Sequence, residues 1–376
     1  MKYLIIGSGV AGISAAKELI KKRKAADDIT IISDEKYPFY YRPRLIHYLS
    51  GNIEINDIII NDYDWFKKND INLRLEERVI NIFPEKKTIC TDEFEYNYDK
   101  LLLANGAHSF VPPIPGAEKE NVFTLRNVPD AKNIYSIACE KEKAVVIGGG
   151  LLGLESAYNL SQAGLEVTVI ERGPYLLSRQ LDKRGGQILQ NLLENKGLNF
   201  ILNANTEKID SNGKKLEVSV KGKGGFSAGL VLLSTGIRSN ISLVENTDIK
   251  VNNGIIVNDK METNLDNIYA AGDVAEHKGR VYGIWPPAMK QGQTAGKNII
   301  GIDDKFTGYI SSYSLKVAGI SLVSKGIIDD ENYQSEIIEN NNKYKKIIYD
   351  NDKMVGVILI GDFSNKKELI DKVKTN

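Results

Sequence analysis

The chain has 376 residues, 42% hydrophobic and 26% charged, with a formal net charge of zero. That balance fits a globular protein of two or three domains and argues against a nucleic-acid or membrane-surface protein, which would carry a basic excess. Its two cysteines, Cys90 and Cys139, give neither a disulfide framework nor a metal spacing; with no secretory leader expected and no apolar run near ~18 residues, the reading is a cytoplasmic protein with no metal site and no membrane span.

Residues 2–7 read as a buried strand and 12–24 as a helix. The helix ends on KKRK (21–24), whose cations suit the negative end of the dipole. DITIIS (28–33) is the next strand and completes a βαβ unit. FYYRPRLIHYLSG (39–51) breaks the pattern at Pro43. KTIC (87–90) and KLLLANGA (100–107) read as later strands, and VPPIPG (111–116) as a crossing between domains. The pattern then restarts: strand AVVIG (144–148), helix from about 151 to 163, strand EVTVIE (166–171), closing with LVLLSTGIRSN (230–240). A small-residue helix follows at 288–300, and the remainder reads as strands and one short helix. The expected fold is α/β: two Rossmann-like dinucleotide-binding domains, the second inserted in the first, and a small α+β C-terminal domain. The expected limits are 1–111 with 237–306, then 112–236, then 307–376.

Each βαβ start carries G-x-G-x-x-G, at Gly7, Gly9, Gly12 and again at Gly148, Gly150, Gly153. The first glycine makes the tight turn, the second lets a pyrophosphate approach the backbone, and the third lets helix pack on strand. The residues that open each helix, Val10 and Ala11, then Leu151 and Leu152, offer unpaired N–H groups and positive dipole to phosphate. EVTVIE ends in Glu171, which can accept from a ribose 2′-OH and repel a 2′-phosphate, favouring NADH; Arg172 beside it pulls the other way. In the first unit the aligned position is Ser33, followed by Asp34 and Glu35. One of these acids is expected at the adenosine ribose, with Asp34 preferred.

TNLDNIYAAGD (263–273) resembles the T-x-x-x-x-[apolar]-Y-A-x-G-D signature of two-dinucleotide flavoproteins. LLLANGA (101–107) resembles their A-T-G segment, with Asn105 where threonine is usual, and LLSTGIRSN (232–240) resembles the second such segment. On these residues nearly the whole chain is similar to the pyridine-nucleotide disulfide oxidoreductase superfamily. The resemblance implies FAD in the first and returning segments, NADH in the insert, and hydride transfer from one to the other. It implies that Asp273 grips the ribityl chain, and it places Val79, Ala104, Asn105, Gly106, Gly236 and Gly272 at the cofactors. The helix opening at Trp285 would aim its dipole at the flavin, with Trp285 covering the ring or simply packing.

The disulfide branches of that superfamily carry cysteine soon after the first βαβ unit; this chain has YPFYYRPRL there. Cys90 and Cys139 read as buried small hydrophobes, and His108 and His277 as structural. YYRPRL resembles the R-P-P-L segment of the ferredoxin- and rubredoxin-reductase-like branch, which implies Arg42 at the FAD pyrophosphate and Pro43 near the flavin. In those relatives a lysine pairs with the glutamate of G-x-G-x-x-G-x-E. Here the positions are His47 and Glu155, expected to meet beside the nicotinamide as the catalytic pair; the competing reading leaves His47 on an outer helix face. The implied acceptor is rubredoxin or a similar small iron carrier, docked by a monomer or homodimer through Arg42, Arg44 and nearby lysines. The alternatives are a flavin reductase component for a ferredoxin-dependent oxygenase or a nitrite reductase-like system, or an NADH-sensing flavoprotein resembling apoptosis-inducing factor.

Overall fold

The structure, a computed structural model, describes residues 1–213, 215–309, 312–340 and 343–373. It divides into two compact units, one of Met1–Arg42, Asn56–His108 and Ile237–Tyr309, the other of Pro43–Ile55, Ser109–Gly236 and Ile310–Asn376.

In the first unit, five parallel strands lie in the order Ile268–Ala270, Lys100–Leu103, Lys2–Ile6, Asp28–Ile32, Asn72–Arg74. The central strands are near-continuous apolar runs (KYLII, DITII, KLLL), as a parallel sheet covered on both faces requires. Register stacks Ile5 between Ile31 and Leu102, all buried. The helix Val10–Lys22 returns from the first strand, and Trp285–Ile299 packs across it. Two glycines set that helix contact: a Cβ on Gly292 would lie 2.1 Å from the Ala11 carbonyl oxygen, and one on Gly296 2.7 Å from that of Ala15. The small residues of 288–300 are therefore a close-packing face.

The second unit repeats the arrangement at four strands, beginning with the one that leads into its glycine turn, while its fifth strand precedes them in the chain instead of coming last. Its parallel sheet runs Asn199–Ile201, Glu166–Ile170, Lys143–Ile147, Leu230–Leu233, Val122–Thr124. Each unit also holds a three-stranded antiparallel meander, Val79–Phe83 with Thr88–Thr91 and Glu95–Asn97 in the first, Thr206–Asn212 with Lys215–Val220 and Gly224–Ala228 in the second. The repeat seen in the glycine turns thus extends through whole half-domains.

The segment Pro43–Ile55 groups with the second unit. Leu45, Ile46 and Leu49 are buried, the Tyr48 ring meets Tyr135 edge-on at 5.4 Å, and Gly51 approaches Tyr135 so closely that a Cβ would lie 2.9 Å from its hydroxyl. This strap therefore docks on the helix Val128–Ala138, which carries Tyr135. The C-terminal part is a five-stranded antiparallel sheet ordered Ser312–Val317, Ile320–Gly326, Lys353–Ile360, Lys343–Asp350, Gln334–Asn340, with a helix at Lys366–Lys372. It is anchored through Lys346, only 3% exposed, whose ammonium lies 2.9 Å from Asp182 Oδ2 and 2.9 Å from Asp330 Oδ1. Asp182 also accepts from the Tyr344 hydroxyl at 2.7 Å and caps the helix Lys183–Glu194 by accepting from Gly185 N at 2.9 Å.

Two amide side chains close the first unit where its chain departs and returns. Asn105 Nδ2 donates to the Asn240 carbonyl at 2.9 Å, and Asn240 Nδ2 donates back to the Asn105 carbonyl at 2.7 Å. The second unit has its own closure, with Phe110 N donating to the Gly236 carbonyl at 2.9 Å.

The cysteine expectation is corrected. Cys90 is half-buried and Cys139 exposed, both as free thiols. Cys90 takes the outward position of the strand Thr88–Thr91, between inward Ile89 and Thr91. Cys139 caps the end of Val128–Ala138, one residue past buried Ala138. No helix among the described residues is long and apolar enough to cross a membrane.

Candidate functional site

The two glycine turns have the same construction. Gly7 and Gly148 sit at φ +107° and +116°, a region only glycine enters at no cost. A Cβ there would fall 2.3 Å from the Ala104 carbonyl oxygen in the first unit and 2.2 Å from that of Ser234 in the second. Gly12 and Gly153 face the first glycine of their own turn, where a Cβ would approach its carbonyl oxygen to 2.1 and 2.0 Å. At Gly9 and Gly150 a Cβ would meet nothing within 4 Å. Both of these are helix N-caps without a capping side chain, so the first-turn N–H groups, including those carried by Val10, Ala11, Leu151 and Leu152, are left facing open space. Open space in front of uncapped N–H groups and a positive dipole end is what a pyrophosphate needs, so both cradles fit a dinucleotide.

In the second unit Glu171 follows the strand Glu166–Ile170 and its carboxylate is held by backbone. Oε2 accepts from Gly149 N at 2.5 Å and Oε1 from Gly173 N at 2.6 Å. Each oxygen keeps a lone pair for a ribose hydroxyl. Arg172 beside it is exposed. In the first unit Asp34 is exposed, whereas Glu35 accepts from Arg42 Nη2 at 2.6 Å and from the Tyr40 hydroxyl at 2.5 Å. Burial opposes the Arg42 charge, but Tyr40, Glu35 and Asp273 outweigh it and hold the guanidinium more firmly charged than usual. Asp273 follows Gly272, whose φ is +85° and where a Cβ would press on Ala11 at 2.9 Å. Gly272 N donates to the buried Gln291 Oε1 at 2.9 Å, a contact the sequence did not announce. The Trp285 ring stacks on Phe39 at 5.7 Å and meets exposed Tyr41 edge-on at 4.8 Å. Ala104, Asn105 and Gly106 follow the strand Lys100–Leu103, and Val79 is half-buried at the start of the first meander. Gly236, at φ +106°, ends the inserted stretch of the second unit, and Pro43 begins the strap.

His47 and Glu155 line one cavity of about 210 Å³ within the second unit, together with Ile46, Tyr158, Asn159, Ala318 and Gly319. Among the described residues no hydrogen bond or ion pair joins the two side chains. Among the described residues no cation pairs with Glu155, and desolvation pushes its carboxyl up to about 7. The two are brought close through backbone and two polar side chains. Ser50 Oγ lies 2.9 Å from the His47 carbonyl and 3.1 Å from Asn159 Oδ1, and Asn159 Nδ2 donates to the Glu155 carbonyl at 2.8 Å. Asn159 stands one turn after Glu155, an i,i+4 spacing legible in principle; Ser50, Ala318 and Gly319 carried no local signal. Of the remaining histidines, His277 is buried with Nε2 2.7 Å from Asp259, and His108 is exposed with Nδ1 2.8 Å from Asn240 Oδ1.

The family described as pyridine nucleotide-disulphide oxidoreductase matches residues 1–292, and that described as rubredoxin NAD+ reductase C-terminal domain matches 312–376. A Bacillus subtilis nitrite reductase [NAD(P)H] is 38% identical over 99% of this chain and 47% of its own length. An NADH-rubredoxin oxidoreductase from Clostridium acetobutylicum is 38% identical over 88% of this chain and 82% of its own. A crystal structure of NADH:rubredoxin oxidoreductase from Clostridium acetobutylicum superimposes with a TM-score of 0.84 at 34% identity, covering 99% of this chain and 94% of that one. The chain spans about half the length of two of the curated relatives it matches, at 47% and 49%. The chain belongs to the pyridine nucleotide-disulphide oxidoreductase family.

Proposed function

We propose that the chain passes electrons from NADH through FAD to a small iron protein of the rubredoxin class. The observation that carries the acceptor is the C-terminal match over residues 312–376, in a chain whose strap Pro43–Ile55 contains no thiol. FAD, when bound, takes up a hydride and can give its two electrons back singly. The chain's own residues bind and orient. The Gly7–Gly12 turn and the helix start at Val10 would hold the flavin dinucleotide's pyrophosphate, with Arg42 and Asp273 beside them and Asp34 or Glu35 at the ribose. The Gly148–Gly153 turn would hold that of NADH, with Glu171 on the ribose hydroxyls. Glu155, carrying a proton on its carboxyl over part of the neutral range, and His47 line the cavity proposed for the nicotinamide. Lined also by Ile46 and Ala318, that cavity limits water at the reacting carbon.

The test is anaerobic stopped-flow on the FAD-loaded protein, mixing NADH and then oxidised rubredoxin. Rapid flavin bleaching followed by catalytic bleaching of rubredoxin supports the reading. Flavin reduction that stalls with rubredoxin discards this acceptor. A second reading, the electron-input part of a nitrite reductase-like system, is favoured by the match over 99% of the chain to a nitrite reductase of twice the length. Flavin oxidation by a sirohaem protein but not by rubredoxin would select it.

A further inference from the structure

The strap Pro43–Ile55 meets the helix Leu151–Gln162 at a polar clip. Ser50 Oγ sits between the His47 carbonyl at 2.9 Å and Asn159 Oδ1 at 3.1 Å, and accepts from Asn52 Nδ2 at 2.8 Å. Asn159 is 6% exposed, and its other amide end donates to the Glu155 carbonyl at 2.8 Å. The Ser50 hydroxyl has one proton for its two acceptors; when it donates to Asn159, one buried amide bonds both the backbone of the turn that carries Glu155 and the strap three residues after His47. His47 lies on a helical turn of four residues, Leu45–Tyr48, too short to hold its own direction in water. Its ring is exposed and has no side-chain partner among the described residues. Its place follows from the strap, which buried Leu45, Ile46 and Leu49 dock and to which Ser50 adds a directional bond.

We infer that Ser50 and Asn159 are positioning residues for the nicotinamide cavity, setting Glu155 and His47 relative to one another without touching either side chain. The inference rests on the proposed role of that cavity in hydride transfer. Asn159 is well placed for this because a buried amide that lost one partner would be left unsatisfied, so the clip is strongly specified once formed. The Tyr48–Tyr135 contact holds the far side of the strap by apolar packing and has no such directionality.

The experiment uses the full chain with Ser50→Ala, Ser50→Thr, Asn159→Leu, the Ser50→Ala/Asn159→Leu double variant, and Glu155→Gln. The first readout is the titration of Glu155 by carbon-13 carboxyl NMR in nucleotide-free protein, assigned with Glu155→Gln; Tyr158 and His47 are the other titratable groups facing it. Loss of the clip admits water and moves the Glu155 midpoint down from about 7, toward an ordinary glutamate. The second readout is the rate at which NADH reduces the FAD-loaded protein. Ser50→Ala and Asn159→Leu each slow it by about tenfold while NADH affinity changes less than about threefold. The double variant is no slower than the worse single one, and Ser50→Thr recovers most of the loss. An unmoved Glu155 midpoint, or single effects that multiply in the double variant, overturns the inference. If Glu155→Gln slows reduction but the clip variants do not, the clip fails and the cavity reading stands. If Glu155→Gln itself leaves the rate unchanged, the cavity reading fails and takes the inference with it.

Discussion

Replacing Glu155 by glutamine should make the second unit more stable at alkaline pH and leave it unchanged in acid. Glu155 titrates at about 7 in the fold against 4.5 for an ordinary glutamate, because burial desolvates it. An acid whose folded pKa is raised favours the fold while protonated. That contribution is complete below about pH 4.5 and is lost as pH rises through 7. The full displacement corresponds to about 3 kcal/mol, and solvent contact at the half-buried side chain brings the expected difference to about 2 kcal/mol. Urea unfolding of nucleotide-free wild type and Glu155→Gln, from about pH 5 to about pH 8.5, isolates the term because every other group is shared. The two proteins should be of similar stability at the acid end, and the variant should lead at the alkaline end. A gap that is constant across the range would refute the argument, since it would mean that Glu155 is ionised in the fold throughout.

Alanine scanning of the second glycine turn separates binding from folding. Gly150→Ala places a Cβ in open space, so thermal stability should hold while NADH affinity falls by at least about tenfold. Gly153→Ala drives a Cβ to 2.0 Å from the Gly148 carbonyl oxygen and should destabilise by about 2 kcal/mol or more, read by urea titration. Glu171→Ala removes the acceptor for Gly149 N and Gly173 N as well as the proposed ribose contact. NADH dissociation constants should rise by about tenfold while those for NADPH rise less, narrowing the preference; equal losses for both would remove Glu171 from cofactor selection. Lys346→Met leaves Asp182 and Asp330 facing one another without their shared cation, and should loosen the C-terminal sheet by about 3 kcal/mol, seen as faster hydrogen exchange in Lys343–Asp350 and Lys353–Ile360.

The parts of this molecule legible in its sequence are those whose cause is local. Gly7, Gly9 and Gly12 announce a turn because Gly7 and Gly12 answer clashes within a few residues or at the strand beside it while Gly9 leaves the helix start open, and the repeat at Gly148–Gly153 doubles the signal. The apolar runs KYLII and KAVVI announce central parallel strands for the same reason. The second meander was not legible, since Thr206–Asn212 is a string of polar residues with one buried position, Ile209, and no period to read. Nor was the cavity wall. Ile46 and His47, Glu155 and Asn159, and Ala318 and Gly319 come from three separate stretches of chain, and no short-range pattern links them. The cysteines were misread because burial of a small residue depends on which way one strand position or one helix end faces.

The reciprocal amide pair at Asn105 and Asn240 has a consequence for how the chain folds. The two residues stand 135 positions apart, so closing them from an unfolded chain costs about 4 kcal/mol in loop entropy. The first unit needs that closure, because Ile268–Ala270 must lie beside Lys100–Leu103 to complete its sheet. Once the inserted stretch is folded, its own ends are joined at Phe110 and Gly236, and the long loop shrinks to a few residues on either side. Most of the entropic cost then disappears. The insert acts as a template that delivers the two halves of its host to each other, and the natural order of events is for the second glycine turn to form before the first is complete.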